Sequence, residues 1–418
     1  MRVAIVGAGL GGLCLAHGLR RAGIEVVVLE RHASPAARPA SYGIHLNADG
    51  LHALHACLPE ENWTRLVETT VPAPDIVRFH DQQLHVLATR DHTSAAINLD
   101  QVTRRRAANR DDLRDALLIG LNRANHGPDD VIRWGASFER YEIDGEQVLV
   151  RCADGTEITA DVLVGADGAN SPVRGQRLPD LHRQDLGILN ISGRVELTPE
   201  RAEQLPPSLV DGAVNNVVPN RPGWMFVSTW ESTGERYVVW AWAADRGTYP
   251  DDVESLAGKD LRGLVAERIA GWAPALRRLV EDTEPGAMAA ITLRTMPPVP
   301  EFAPGRVTLL GDAIHNMTPM AGIGANTALR DADALSVCLA EAGPAVERIG
   351  RYEARMRFYA NAALAVSTRN ARNAATTARM PRRAFRTVLR LAEAVPPLKH
   401  RMFAAPGLPT GQHHGGDD

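Results

Sequence analysis

The opening thirty residues constrain this chain more than any other stretch. RVAIV is an uninterrupted apolar run, followed by GAGLGG, which places glycines at positions 7, 9 and 12. Leu10, Leu13, Ala16 and Leu19 then recur at helical spacing, Gly23 supplies a stop, and a second apolar run ends on Glu30. Neither apolar run alternates with polar residues, so both read as strands buried on two faces, as in a parallel sheet. Strand, glycine turn, helix, strand is βαβ grammar, and the turn has the form G-x-G-x-x-G in the context that gives it meaning. Gly7 allows the tight turn, Gly9 lets backbone approach a pyrophosphate, and Gly12 lets helix pack on strand. Free N–H groups from Leu10 onward and the helix dipole favour an anion there. Glu30 stands where a ribose hydroxyl would be accepted, with Arg31 beside it. The alternative is a glycine-rich turn whose Glu30 is merely solvated.

The remainder mixes helix and strand. A helix is expected near GLHALHACL and another over 109–124, where Leu113, Leu117 and Leu121 share a face; a hairpin is expected over 143–164 with Asp154-Gly155 at its turn. Residues 185–245 are strand-rich, 253–281 helical, 307–310 a strand, and helices start near Gly324 and run through 351–380. With 418 residues, 44% hydrophobic and 23% charged, the composition is that of an ordinary globular protein. The formal net charge of −4 gives no general attraction to nucleic acid or to an anionic membrane. Only Lys259 and Lys399 are lysines. Cys14, Cys57, Cys152 and Cys338 are too far apart in sequence for a zinc or redox motif, so no metal site and a reduced, cytoplasmic setting are expected. No stretch is apolar enough to span a bilayer, and the N-terminus reads as strand and glycine turn, not as a signal peptide.

Two later motifs narrow the ligand. DVLVGADGANSPVR ends a strand in Gly165-Ala166-Asp167-Gly168, and RVTLLGDAIHNMTPMAGIGAN carries Gly311-Asp312 and then Pro319-Met320-Ala321-Gly322-Ile323-Gly324-Ala325-Asn326. With the N-terminal fingerprint, these three motifs in this order resemble the flavin-dependent aromatic hydroxylases, the p-hydroxybenzoate-hydroxylase-like, single-component FAD monooxygenases. The resemblance covers roughly residues 1 to 375. It departs at Ile314, where the family's usual G-D-A-A-H has a second alanine.

The resemblance implies an α/β fold. A Rossmann-like FAD-binding domain would be built from 1–75, 100–180 and 290–345, and an antiparallel-sheet substrate domain from 76–99 and 181–289. C-terminal helices would follow over 346–405, and a disordered tail over 406–418. It implies FAD as cofactor and NAD(P)H as a transient electron donor, and the absence of a second glycine fingerprint agrees with a donor that docks without its own Rossmann unit. Asp312 would contact the ribityl chain and Gly311 would permit the turn. Gly322, Gly324, Ala325 and Asn326 would pass their backbone under the isoalloxazine ring. Arg110 would touch the phosphate–ribityl region, and Asp167 would sit near FAD and the donor.

The implied reaction hydroxylates an aromatic or polycyclic phenol or quinone with molecular oxygen, through a hydroperoxide at flavin C4a, in a monomer or homodimer. Baeyer–Villiger or epoxidising outcomes stand as alternatives. A halogenase is disfavoured by WAWAAD, which lacks the Ile-Pro of that class, and a non-catalytic binding protein by the intact third motif. Candidate substrate-pocket residues are Trp224, Phe226, Trp240, Trp242, Met296, Pro319 and Met320, each equally readable as core. Trp240 and Trp242 share a parity and so one face of a strand. His45, in YGIHLNADG, is a candidate for a phenolic oxygen, or else structural.

Overall fold

The computed structural model describes residues 1–37, 43–92, 100–121, 130–232 and 235–403. The expected disordered tail, residues 122–124 of the expected 109–124 helix, and the 93–99 end of the first sheet segment lie outside those residues.

The apolar runs form a five-stranded sheet in the order Val307–Leu309, Val162–Gly165, Arg2–Val6, Glu25–Glu30, Ile132–Trp134, every pair parallel. Its register sets Val6 beside Gly165 and Leu29, and Gly165 beside Leu309. The three sequence motifs, scattered over 300 positions of chain, therefore leave the same edge of one sheet side by side. This is the carboxyl edge, where ligands bind in open α/β sheets. The helices Leu10–Arg21 and Gly324–Ala340 pack against one another and start near this edge. Both have free first-turn N–H groups and no acidic residue in that turn.

A second sheet has seven strands in the order Met288–Thr295, Gln184–Glu196, Glu235–Asp245, Trp224–Ser232, Val214–Val217, Ile76–His80, Val86–Asp91. All its pairs are antiparallel except Val214–Val217 with Ile76–His80. Met288–Thr295 pairs with Gln184–Glu196, so the expected boundary between 289 and 290 falls inside a strand of this sheet. Residues 138–160 make a small sheet whose last hairpin turns through Asp154 and Gly155, the latter at φ +83°.

The expected 253–281 helix is two helices, Gly258–Arg268 and Pro274–Glu281, because Pro274 cannot continue the first and starts the second. The expected helix over 351–380 likewise ends at Ala375, and a new one runs from Arg379 to Ala394 with Pro381 in its first turn.

The two faces of the large sheet differ. Met225, Val227, Ile191, Val238, Trp240 and Trp242 face Leu261, Val265, Leu276, Leu279 and Val280 of the two helices behind it. Phe226, Trp230, Tyr237 and Val239 face the other way, against Ala107 of the short strand Arg106–Ala108.

Candidate active site

The three glycines of the turn have different surroundings. Gly7 holds φ +109° and donates to the Leu29 carbonyl at 2.7 Å; a Cβ there would stand 2.4 Å from the Ala166 oxygen. A Cβ on Gly12 would stand 2.1 Å from the Gly7 oxygen. Gly9 differs: nothing comes nearer than 4.0 Å to its missing Cβ. No neighbour in the fold requires a glycine at position 9, so the space is a cradle that a side chain would fill. Glu30, buried at the end of the next strand, accepts the Ala8 N–H at 2.9 Å through Oε2, and the His32 N–H and Nδ1 through Oε1. Arg31 is exposed.

On the opposite side the second and third motifs are joined. Arg174 donates to the Ala313 carbonyl at 2.7 Å and to the Ala169 carbonyl at 3.0 Å, tying the Asp167-Gly168 loop to the Gly311–His315 turn. Asp167 accepts the Val173 N–H through Oδ2, while its buried Oδ1 has no hydrogen-bond partner among the described residues; burial pushes its carboxyl up, against the pull of Ser171, Val173 and Arg174.

Gly311 sits at φ +60°, and its N–H is held by Asp331 at 2.7 Å. Asp331, wholly buried on the Gly324–Ala340 helix, also accepts His315 Nε2 and the Tyr359 hydroxyl, each at 2.6 Å. Burial opposes charge on His315, but Asp331, aided by Asp312, outweighs it and the imidazole is raised above its usual range. The turn thus rests on a buried Asp331–His315 pair. Asp312 is half-buried and makes no hydrogen bond or ion pair among the described residues. Its carboxylate remains available to a ligand.

The last glycines turn the chain into a bare helix start. Gly322 adopts a left-handed conformation at φ +65° with nothing within 4 Å of its missing Cβ, and Gly324 begins the helix with no side-chain cap. Ala325 follows in the first turn. The Asn326 side-chain amide donates to the His45 carbonyl at 2.9 Å, and its oxygen accepts the Asn47 N–H at 2.9 Å. Its side chain staples the 45–47 segment to the helix start. Arg110, at the head of the Arg110–Leu118 helix, is exposed and has no partner among the described residues.

Trp224 and Phe226 face the front of the large sheet; the Trp224 indole donates to Asn216 at 2.9 Å. Trp240 and Trp242 do share a face, but it is the rear one. Trp240 is 0% exposed with its indole N–H on Thr283 at 2.8 Å, and Trp242 packs on Trp272, so both are core and leave the pocket set. Met296 is also core, 1% exposed and part of the cluster under the parallel sheet. Pro319 is exposed, and Met320 packs beside Ile188, Ala243 and Leu293.

His45 reaches the front face: its ring lies 5.0 Å from that of Trp230, which stacks on Tyr237. Burial, with Arg105 nearby, keeps the imidazole well below its usual range and so neutral. His45 Nε2 and the Tyr237 hydroxyl are buried polar atoms without hydrogen-bond partners among the described residues. Asp331, Tyr359, Trp230 and Tyr237 were not expected from the sequence. Asp331 and Tyr359 sit inside helices with no local motif, and only tertiary packing brings them to the turn.

A family description, FAD binding domain, matches residues 1–367. The chain belongs to this FAD-binding family. Its cofactor is FAD, and the open cradle at Gly9, the unspent Asp312 and the clearance at Gly322 fit that group. The chain is 30% identical to the dual O-methyltransferase/FAD-dependent monooxygenase CTB3 of Cercospora beticola, across 85% of this chain but only 44% of that protein. It thus spans less than half the length of that relative. It is 28% identical to the aurachin C monooxygenase/isomerase of Stigmatella aurantiaca, across 85% of this chain and 84% of that one. Among solved structures, one described as an FAD-containing monooxygenase from Photorhabdus luminescens subsp. laumondii superposes with a TM-score of 0.80 at 39% identity, covering 90% of this chain and 98% of the other. The Rossmann-like α/β core, antiparallel sheet and C-terminal helices are the architecture of this family.

Proposed function

We propose that this flavoprotein is a monooxygenase that takes electrons from NAD(P)H and uses molecular oxygen to hydroxylate an aromatic or polycyclic phenol- or quinone-type molecule. The observation that carries the reading is the juxtaposition at one sheet edge of an unspent Asp312, an uncapped helix start at Gly324 and the 45–47 segment, whose His45 meets an aromatic sheet face. The names of CTB3 and the aurachin C enzyme support it. FAD, when bound, supplies the electron storage and oxygen activation.

The protein's part is positioning and electrostatics. Asp312 would hold the ribityl chain, Glu30 the ribose, and Gly9 to Gly12 the pyrophosphate at a helix N-terminus. The start of the Gly324–Ala340 helix would place partial positive charge and free N–H donors where negative charge accumulates on reduction. Phe226 and Trp230 would pack the substrate ring and keep water away. Neutral His45 would meet a substrate hydroxyl as hydrogen-bond acceptor or donor. Four free, buried cysteines fit a reducing, cytoplasmic setting.

The test is NAD(P)H oxidation by the FAD-loaded protein, screened against phenols and quinones without halide. Substrate-stimulated oxidation with an oxygenated product is expected. A protein that stays colourless after FAD is added, or turnover that requires chloride or bromide, would overturn the reading.

A further inference from the structure

The helix Arg379–Ala394 turns arginines inward and aliphatic side chains outward. Arg382 and Arg386 are 4% and 9% exposed. Arg382 donates to the carbonyls of Gly223, Ala374 and Thr376, and Arg386 to the Val218 carbonyl and Gln82, with Asp81 at 3.8 Å. Met380, Val388, Leu391 and Val395 are instead 75%, 43%, 51% and 44% exposed. Met380, Ala384, Val388 and Leu391 recur at steps of four, four and three residues, which places them on one stripe about 80° wide, and Val395 follows just past the helix end. Arg379, Arg383 and Arg390 are exposed along one flank of that stripe.

The charge around the stripe is as lopsided as its packing. Residues 354–403 carry eleven arginines and lysines and a single carboxylate, Glu393, in a chain whose net charge is −4. Glu393 is itself engaged, by the Thr89 N–H at 2.8 Å and by Lys399 at 3.0 Å.

We propose that this helix is a docking surface for an anionic lipid bilayer, on which it lies flat. A convex aliphatic ridge flanked by arginines matches the headgroup boundary: aliphatics enter the acyl region and guanidinium groups reach lipid phosphates. Lying flat needs no spanning length, and none of the described helices is long and apolar enough to cross a membrane. A second copy is a poorer occupant, since pairing two such helices sets arginine against arginine with no free carboxylate between them. The inner side of the same helix carries Phe385, whose ring lies 6.2 Å from that of Trp224 on the front of the large sheet. Docking would therefore hold the edge of the aromatic face next to the lipid, a route by which an apolar aromatic substrate could arrive. The proposal stands on the helix alone and does not depend on the monooxygenase reading.

The test is flotation of the FAD-loaded full chain with vesicles of phosphatidylglycerol and phosphatidylcholine, or of phosphatidylcholine alone. Binding is expected only with the anionic vesicles, at about 0.05 M salt and not at about 0.5 M. The double variants Val388→Ser/Leu391→Ser and Arg383→Gln/Arg390→Gln should each weaken it by about tenfold or more. FAD content and melting temperature should hold steady, because these side chains are exposed. No flotation with anionic vesicles overturns the proposal, as does flotation that both variants leave intact. So does a concentration-dependent dimer in light scattering that the serine variant dissolves without any lipid binding.

Discussion

The two sheets place their chemistry differently. In the parallel sheet it gathers at the carboxyl ends of strands, where each contributing segment must stop, turn and expose backbone. In the antiparallel sheet the candidate contacts lie on one face, and strand pattern alone does not tell that face from its opposite. Phe226 and Trp240 come from neighbouring strands of similar composition. One packs toward Ala107 of the short strand Arg106–Ala108 and the other into a core closed by two helices. Ends are written locally as Gly, Asp and Glu at short spacing, whereas a face acquires its role from what covers it.

The largest test of that contrast is Trp240→Ala. Losing a fully buried indole and its bond to Thr283 should cost about 3–5 kcal/mol in denaturant unfolding, with FAD affinity unchanged. Lost FAD affinity without lost stability would place the rear face in the site.

At the parallel sheet, Glu353 lies buried behind the strand Val307–Leu309, accepting the Thr308 hydroxyl at 2.9 Å. Burial pushes its carboxyl up to about 7, against Thr308, Arg177 and Arg357. The folded state therefore binds more protons than the unfolded one between about pH 4.5 and 7, so this group lowers stability as pH rises through that window. Glu353→Gln should be up to ~3 kcal/mol more stable than the parent at pH 8 and no different at pH 4. Urea melts at the two pH values decide it; equal gains at both would remove the titration argument.

Asp331→Asn should weaken FAD binding by about 10–100-fold, on the order of 1.5–3 kcal/mol, because an amide with one acceptor oxygen cannot accept from Gly311, His315 and Tyr359 together. Flavin fluorescence titration measures it, and the visible spectrum of the remaining holoprotein should shift. An effect on melting temperature alone would make Asp331 a fold residue only. The smallest effect is expected for Phe226→Ala: stability within about 1–2 kcal/mol of the parent, but a changed order of preference among stimulating phenols. An unaltered preference would take the front face out of substrate selection.

The parallel sheet, the glycine turn and the order of the three motifs were readable from the chain because each depends on neighbours in sequence. Helix ends were less so: the breaks before Pro274 and after Ala375 interrupt stretches whose apolar spacing continues across them. The roles of Asn326 and Asp331 were not readable. Both are polar residues inside a helix, and what they bond is determined by tertiary packing: the 45–47 segment lies about 280 positions from Asn326, and the Gly311 turn lies 20 positions before Asp331 with no local motif linking the two. The face taken by Trp240 and Trp242 was invisible for the same reason, although their shared parity was correct.

The stapling of residues 45–47 by Asn326 has a consequence for biosynthesis. On the proposed site, a glycine turn completed within the first thirty residues would not hold FAD fully until position 326 has left the ribosome. At about 5–20 residues per second that is a delay of tens of seconds. During that interval the early βαβ unit is a nascent half-site, with its partner helix still to be made. On the same reading flavin capture would come late in translation, and a chain truncated before the Gly324–Ala340 helix should emerge colourless however well its first segment has folded.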